Sequence, residues 1–360
     1  MTPLIPITEY ITYMLFSYLT GHVILQFIPV DKKPAIQVSK SSLLLSVLGI
    51  IIFTFFPVLQ VISYFSTEGF LSLRAYAILT EFQVGISWLY GSFFAVFLWM
   101  VMYVEGSKYL QAFFLFLMMI SLGYASHSAS LDLVPGLFSH SIHFLTITIW
   151  VGVLIHIGWL AKSIEDWHGF LRWFTPLSIV LFLITTVTGI LLMFFVFHPR
   201  DYANAWVLPY GQMLLLKHLS IIPVLMFALV NGILSRKAKV DSTFDAKKWI
   251  QAETVILMII FFITGVLGTL TPPHQVNATV IQEGAAFWVE YFIGHKIAAP
   301  FIVQLNTGFE GIVLLCIAIL FLALIVISFY KKVSAWIPLS FGILFIISAY
   351  LGLMMSVSIG

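Results

Sequence analysis

Apolar runs of about twenty residues, the length of a helix that crosses a bilayer, recur along this sequence from Ile7 to Val357. In lipid, every backbone N–H and C=O must be satisfied inside the segment or inside a closed barrel, and runs of this length select helices. The expected fold is an all-α polytopic membrane protein, a bundle of about ten transmembrane helices. Composition agrees: 61% of the chain is hydrophobic and 9% is charged, against about a quarter charged in a soluble domain. The spans nearly consume the 360 residues, which leaves no room for a soluble catalytic domain. The net charge of +2 is spread over short membrane-flanking loops, so the expected partner is the lipid bilayer and no nucleic acid. The single cysteine, Cys316, excludes an intramolecular disulfide and a thiolate-pair metal site and is read as a packing residue.

Ten spans are expected, over 7–28, 42–65, 75–104, 110–124, 137–161, 170–197, 211–234, 250–270, 309–330 and 335–357. The first is too long and lacks the basic start of a cleavable signal, so it is read as a retained span. With the N-terminus outside, thirteen of the 17 Lys and Arg fall in inner loops, and only Arg74, Arg200, Lys296 and Lys217 do not. That asymmetry puts both termini outside. The longest inner loop, SRKAKVDSTFDAKKW at 235–249, reads as a basic connector beside anionic lipid. The organisation expected is N-terminal transmembrane helices over 1–124, a transmembrane core over 125–273, an outer amphipathic segment over 274–308 and C-terminal transmembrane helices over 309–360. Within the third part, GAAFWVEYFIGHKIAAPFIVQL reads as an interfacial or re-entrant helix. No internal repeat stands out; TTVTGIL and FFITGVL share only a Thr-Gly step.

On this topology the ten histidines divide unevenly. His127, His140, His143, His198, His218, His274 and His295 lie at or near the outer side. His22, His156 and His168 belong to the inner half and are expected to matter less. A lone intramembrane histidine usually donates to a backbone carbonyl. A group at one end of a bundle is harder to account for, because each buried imidazole needs a partner. His140 and His143, one turn apart on one helix face, together with histidines of neighbouring helices offer neutral imidazoles to copper or zinc, or to haem iron as an axial pair. The candidate metal ligands are His127, His140, His143, His218 and His274. In a haem reading, His143 and His218 clamp the iron of haem b. Lys217 sits too deep to reach water easily and is placed with the site, to hold an anionic group or to repel a cation.

Other polar residues in the apolar runs have structural readings. Arg74 and Glu81 are expected to pair, Asp132 to cap a loop, Asn231 to bridge helices, and Glu310 to open a helix where the dipole favours an acid. No phosphate-cradling loop, nucleophile elbow, HExxH or CxxCH occurs, so an enzyme is expected only if it works on a bound haem or metal.

The runs ASHSAS, HSIHFLTITIWVGVL, FTPLSIVLFLITTVTGIL and YGQMLLLKHLSIIPVLMFALVNG resemble, in order and spacing, the copper resistance D family of bacterial membrane proteins. The resemblance rests on Ser126-His127, His140, His143, Trp150, Gly152, Thr188-Gly189, Tyr210-Gly211, Lys217 and Asn231, and covers about 125–273. It implies copper transport or acquisition across the bacterial cytoplasmic membrane, with the outer histidines as entry site. It also implies a separate extracytoplasmic copper-binding donor protein, because the copper-binding domain fused to many relatives is not in this sequence. Two other functions stay open: a b-type haem electron-transfer protein using the same histidines, and a structural or assembly membrane protein.

Overall fold

The computed structural model describes residues 4–65, 73–162, 167–235 and 245–360. Most of the 235–249 connector falls outside the described residues. The chain is nearly all helix, in two compact units, 1–195 and 196–360.

The first unit holds α1 (Ile5–Leu25), α2 (Lys40–Phe65), α3 (Leu73–Glu81), α4 (Gln83–Tyr103), α5 (Lys108–Tyr124), the one-turn α6 (His127–Leu131), α7 (Leu133–Ile155) and α8 (Trp167–Val196). The second holds α9 (Pro209–Leu229), α10 (Ala246–Leu267), α11 (Val276–Glu283), α12 (Phe287–Ile293), β1 (Val303–Leu305), α13 (Phe309–Tyr330), α14 (Trp336–Met354) and β2 (Val357–Ile359). Two π turns continue long helices, His156–Leu160 after α7 and Val230–Leu234 after α9.

Among the described residues eight helices are long and apolar enough to cross a membrane, and the protein is a multi-pass, all-α membrane protein. The places of the first and fourth expected spans are taken by α1 and by the 17-residue α5, which are less apolar or shorter than those eight. The third expected span, 75–104, is two helices. Phe82 takes an extended conformation between α3 and α4, and Gly85 presses its Cα against the backbone of Ile78 and Leu79, where any Cβ would collide. Arg74 does not pair with Glu81; its guanidinium donates to the Phe65 carbonyl at the end of α2 at 3.3 Å, a charge placed where the helix dipole favours it. The outer segment also differs from the single helix expected. It is two short helices, then β1, which pairs antiparallel with the C-terminal β2 through Val303–Ile359, Gln304–Ser358 and Leu305–Val357.

Within the first unit α7 is the central element: 72% of its span is buried, against 11% for α8. Phe16, Leu19 and Val23 of α1, Val47 and Ile50 of α2, and Leu98 of α4 form the core beside Phe144 of α7. The backbones of α1 and α7 approach closely. A Cβ on Gly152 would meet the Ser17 carbonyl and lie 2.7 Å from the Gly21 nitrogen. Small residues at such a crossing let two backbones touch, which is how helices gain packing in lipid. In the second unit, Leu215 and Leu219 of α9 pack with Phe345, Ile346 and Ala349 of α14 and with Trp206.

Candidate functional site

The sequence-predicted residues divide between the units: His127, His140 and His143 belong to the first, Lys217, His218 and His274 to the second. In the first unit Ser126 caps α6, accepting from the Ala129 N–H at 3.3 Å, and this sets His127 exposed on the first turn. Asp132 sits at the junction of α6 and α7, where its backbone carbonyl accepts from the Gly136 N–H at 2.9 Å while its side chain makes no cap bond. Gly136 lies directly against the Ser128 backbone, 2.5 Å from the Ala129 nitrogen measured from where a Cβ would stand. That contact fixes the start of α7 and hence the level of the two histidines that follow.

His140 is half-buried and stacks on Phe144, with ring centroids 6.4 Å apart. His143 faces α8. Its Nδ1 lies 3.1 Å from the Thr185 carbonyl oxygen and 3.1 Å from the Thr188 hydroxyl oxygen. A carbonyl can only accept, and the Thr188 hydroxyl spends its proton on the Ile184 carbonyl at 2.7 Å. Nδ1 therefore carries the hydrogen, and Nε2 carries the lone pair. Gly189 makes room for the ring, with Cε1 of His143 3.3 Å from where a Cβ would be. The Thr188-Gly189 step thus has a use: it orients one imidazole.

The second unit repeats part of this layout. Gly211 at the start of α9 lies against the Ala205 carbonyl, as Gly136 lies against Ser128. Seven residues after each glycine stands a histidine, His143 or His218, and each helix ends in a π turn. The Nδ1 of His218 is 2.7 Å from the Tyr202 hydroxyl. Burial pushes the Tyr202 phenol up to about 12, so this partner is a neutral hydroxyl that can either donate or accept. Lys217, the next residue, is half-buried in α9, and no ion pair holds it among the described residues. His274 is exposed after α10.

Asn231 does bridge helices, and the structure supplies a partner that sequence reading did not single out. Its Nδ2 donates to Glu253 Oε2 at 2.8 Å and lies 3.3 Å from the Trp249 carbonyl, both on α10. Glu253 is 2% exposed. A buried carboxyl stripped of its donor bears the desolvation cost, about 1–3 kcal/mol. Asn231→Leu should therefore lower stability by that amount, read as the thermal midpoint of the purified chain in detergent. An unchanged midpoint would mean that the amide contributes nothing to holding α9 against α10.

Among the described residues no group of three or more His, Cys, Asp or Glu is placed to hold a metal ion. Residues 168–267 match the family model of copper resistance protein D. Over this segment the chain is similar to that family. The CopD match covers α8, α9 and α10 and is narrower than the resemblance read over 125–273; it contains Thr185, Thr188, Lys217, His218, Asn231 and Glu253, and it excludes His127, His140, His143 and His274. No curated protein and no solved structure matches the chain. The match relates this segment of a membrane protein to copper.

Proposed function

We propose that the protein acquires copper on the outer face of the bacterial cytoplasmic membrane and passes it inward, with His127, His140, His143, His218 and His274 as its entry histidines. The observation that carries this reading is the His143 imidazole. Its Nδ1–H is fixed by two acceptors on the CopD helix α8, which is the arrangement that orients a ligating Nε2 and raises its basicity. His218 is held differently. The Tyr202 hydroxyl can donate to Nδ1 while the ring is unligated and accept from it once Nε2 binds a metal. The His143 imidazole of the first unit is thus preset, whereas the His218 imidazole of the second has a partner that can adjust. A separate extracytoplasmic donor protein would deliver the ion, and the basic inner loops set the orientation with the N-terminus outside.

The experiment is copper and haem analysis of the purified full-length chain beside His143→Gln and His218→Gln. Copper retention is expected to fall by about tenfold or more in each variant, with monodispersity unchanged. A red preparation with a Soret band that both variants lose would replace copper with haem b. Copper content unaffected by either variant would remove these histidines from the site.

A further inference from the structure

We infer that His22 and His156, on the contact between α1 and α7, form a second site, for a univalent soft metal ion of the Cu(I) class held between two neutral imidazoles. The sequence placed both in the inner half and assigned them no role, and neither lies in the CopD match.

The site begins with the two glycines. Because Gly21 and Gly152 carry no side chain, the α1 and α7 backbones touch, and the imidazole of His156 comes within 2.6 Å of where a Cβ on Gly21 would stand. His156 is 1% exposed. Its Nδ1 is 2.8 Å from the Gly152 carbonyl, and a carbonyl only accepts, so Nδ1 is the donor and Nε2 bears the lone pair. That Nε2 is buried with no hydrogen-bond partner among the described residues. An orphaned acceptor at bilayer depth is costly, and a packing histidine satisfied through Nδ1 alone leaves that cost uncompensated.

The neighbour that can complete it is His22, whose ring centroid is 6.4 Å from that of His156, at an interplanar angle of 35°. Two imidazoles ligating one ion in line, each at about 2.0–2.1 Å, bring their ring centroids to roughly 6.3 Å. Tyr18, one turn before His22 on α1, stacks on the His156 ring, 5.2 Å away at 21°. The donor set selects the ion. Zn²⁺ takes four ligands in its structural sites, and no third His, Cys, Asp or Glu joins this pair among the described residues. Two neutral nitrogens suit a single positive charge and linear coordination; the Lys33 ammonium, held on the Leu25 carbonyl three residues along α1, acts on the His22 ring, so the ion must bind against it. That the ion is copper rests on the copper assignment of the CopD segment; the two-imidazole site does not.

The test uses the full-length chain in detergent, loaded anaerobically with Cu(I) and challenged with a chromophoric Cu(I) chelator. In a background with His127, His140, His143, His218 and His274 all changed to Gln, one Cu(I) equivalent should remain, with the X-ray absorption edge of a two-coordinate Cu(I)–nitrogen centre. Adding His22→Gln should release that equivalent at chelator concentrations at least about tenfold lower. Should the multiple variant fail to fold, His22→Gln and His156→Gln in the native background should each lose one equivalent while remaining monodisperse. Ag(I), loaded in parallel, should show the same loss if the site is right and only its copper identity is wrong. Cu(I) and Ag(I) retention untouched by both inner variants, or no retention by the native chain, overturns the proposal. The entry-site reading fails separately, if the five outer substitutions release no metal.

Discussion

Gly152→Ala is expected to destabilise the protein by about 3 kcal/mol or more, although it adds a single methyl group. The new Cβ would strike the Ser17 carbonyl and stand 2.7 Å from the Gly21 nitrogen and 2.9 Å from its Cα. All three are backbone atoms of α1, so no flexible side chain can move aside. Relief requires α1 and α7 to separate. Gly91→Ala is the control. Its Cβ would meet only the Ser121 Cβ, at 3.7 Å, an ordinary contact, and alanine is the better helix former by up to about 1 kcal/mol. The two changes should therefore move the thermal midpoint in opposite directions, measured by circular dichroism of the full chain in one detergent. Equal midpoints would show that the α1–α7 crossing tolerates expansion. In that case the distance between His22 and His156 is not set by the glycines.

The class of the fold was legible because it follows from run length and charge alone. The features that were missed depend on contacts between residues far apart in sequence. Nothing local in the stretch from Ala75 to Val104 calls for a break, since Phe82 is unexceptional in a span; the break is forced where Gly85 meets the backbone of α3. The β1–β2 ladder pairs residues that lie on either side of two whole helices, and three-residue strands carry too little alternation to be read. The correspondence between α7 and α9 was hidden for a related reason. It is carried by a glycine and a histidine at matched spacing, followed by a π turn that begins one residue later in α7 than in α9, while most of the side chains between them differ.

For the site, the outer and inner classes of histidine came from orientation, but which imidazoles meet did not. His156, thirteen residues beyond His143, meets Tyr18 and His22 of α1, apart from His143 on Thr185 and Thr188 of α8 and His140 on Phe144. Its partner on α1 was invisible because the glycines that bring them together look like ordinary small residues in a span. Asn231 could be read as a bridging group from its chemistry, whereas Glu253 sits in the inner end of α10, where an acid passes for a solvated helix start.

Lys217→Met is the change that most sharply separates copper from haem. Lys217 precedes His218 in α9, is half-buried, and has no ion-pair partner among the described residues. An ammonium at bilayer depth persists only if something offsets its charge or if its repulsion is useful. If His218 takes part in holding a cuprous ion, the ammonium is within one side chain's length of a like charge. At roughly 9 Å and an effective dielectric constant of about 20, that repulsion is about 2 kcal/mol. Removing it should tighten Cu(I) retention about tenfold or more and slow release, so that a chelator strips the variant more slowly than the native protein. If the bound species is haem, the same ammonium can pair with a propionate, and breaking one side of a desolvated charge pair costs about 3–5 kcal/mol. Lys217→Met would then lose haem on purification. The comparison needs only copper analysis and a visible spectrum of both proteins after identical handling. Unchanged content of both would show that Lys217 answers to neither ligand, and His218 would then have to be argued into the site without it.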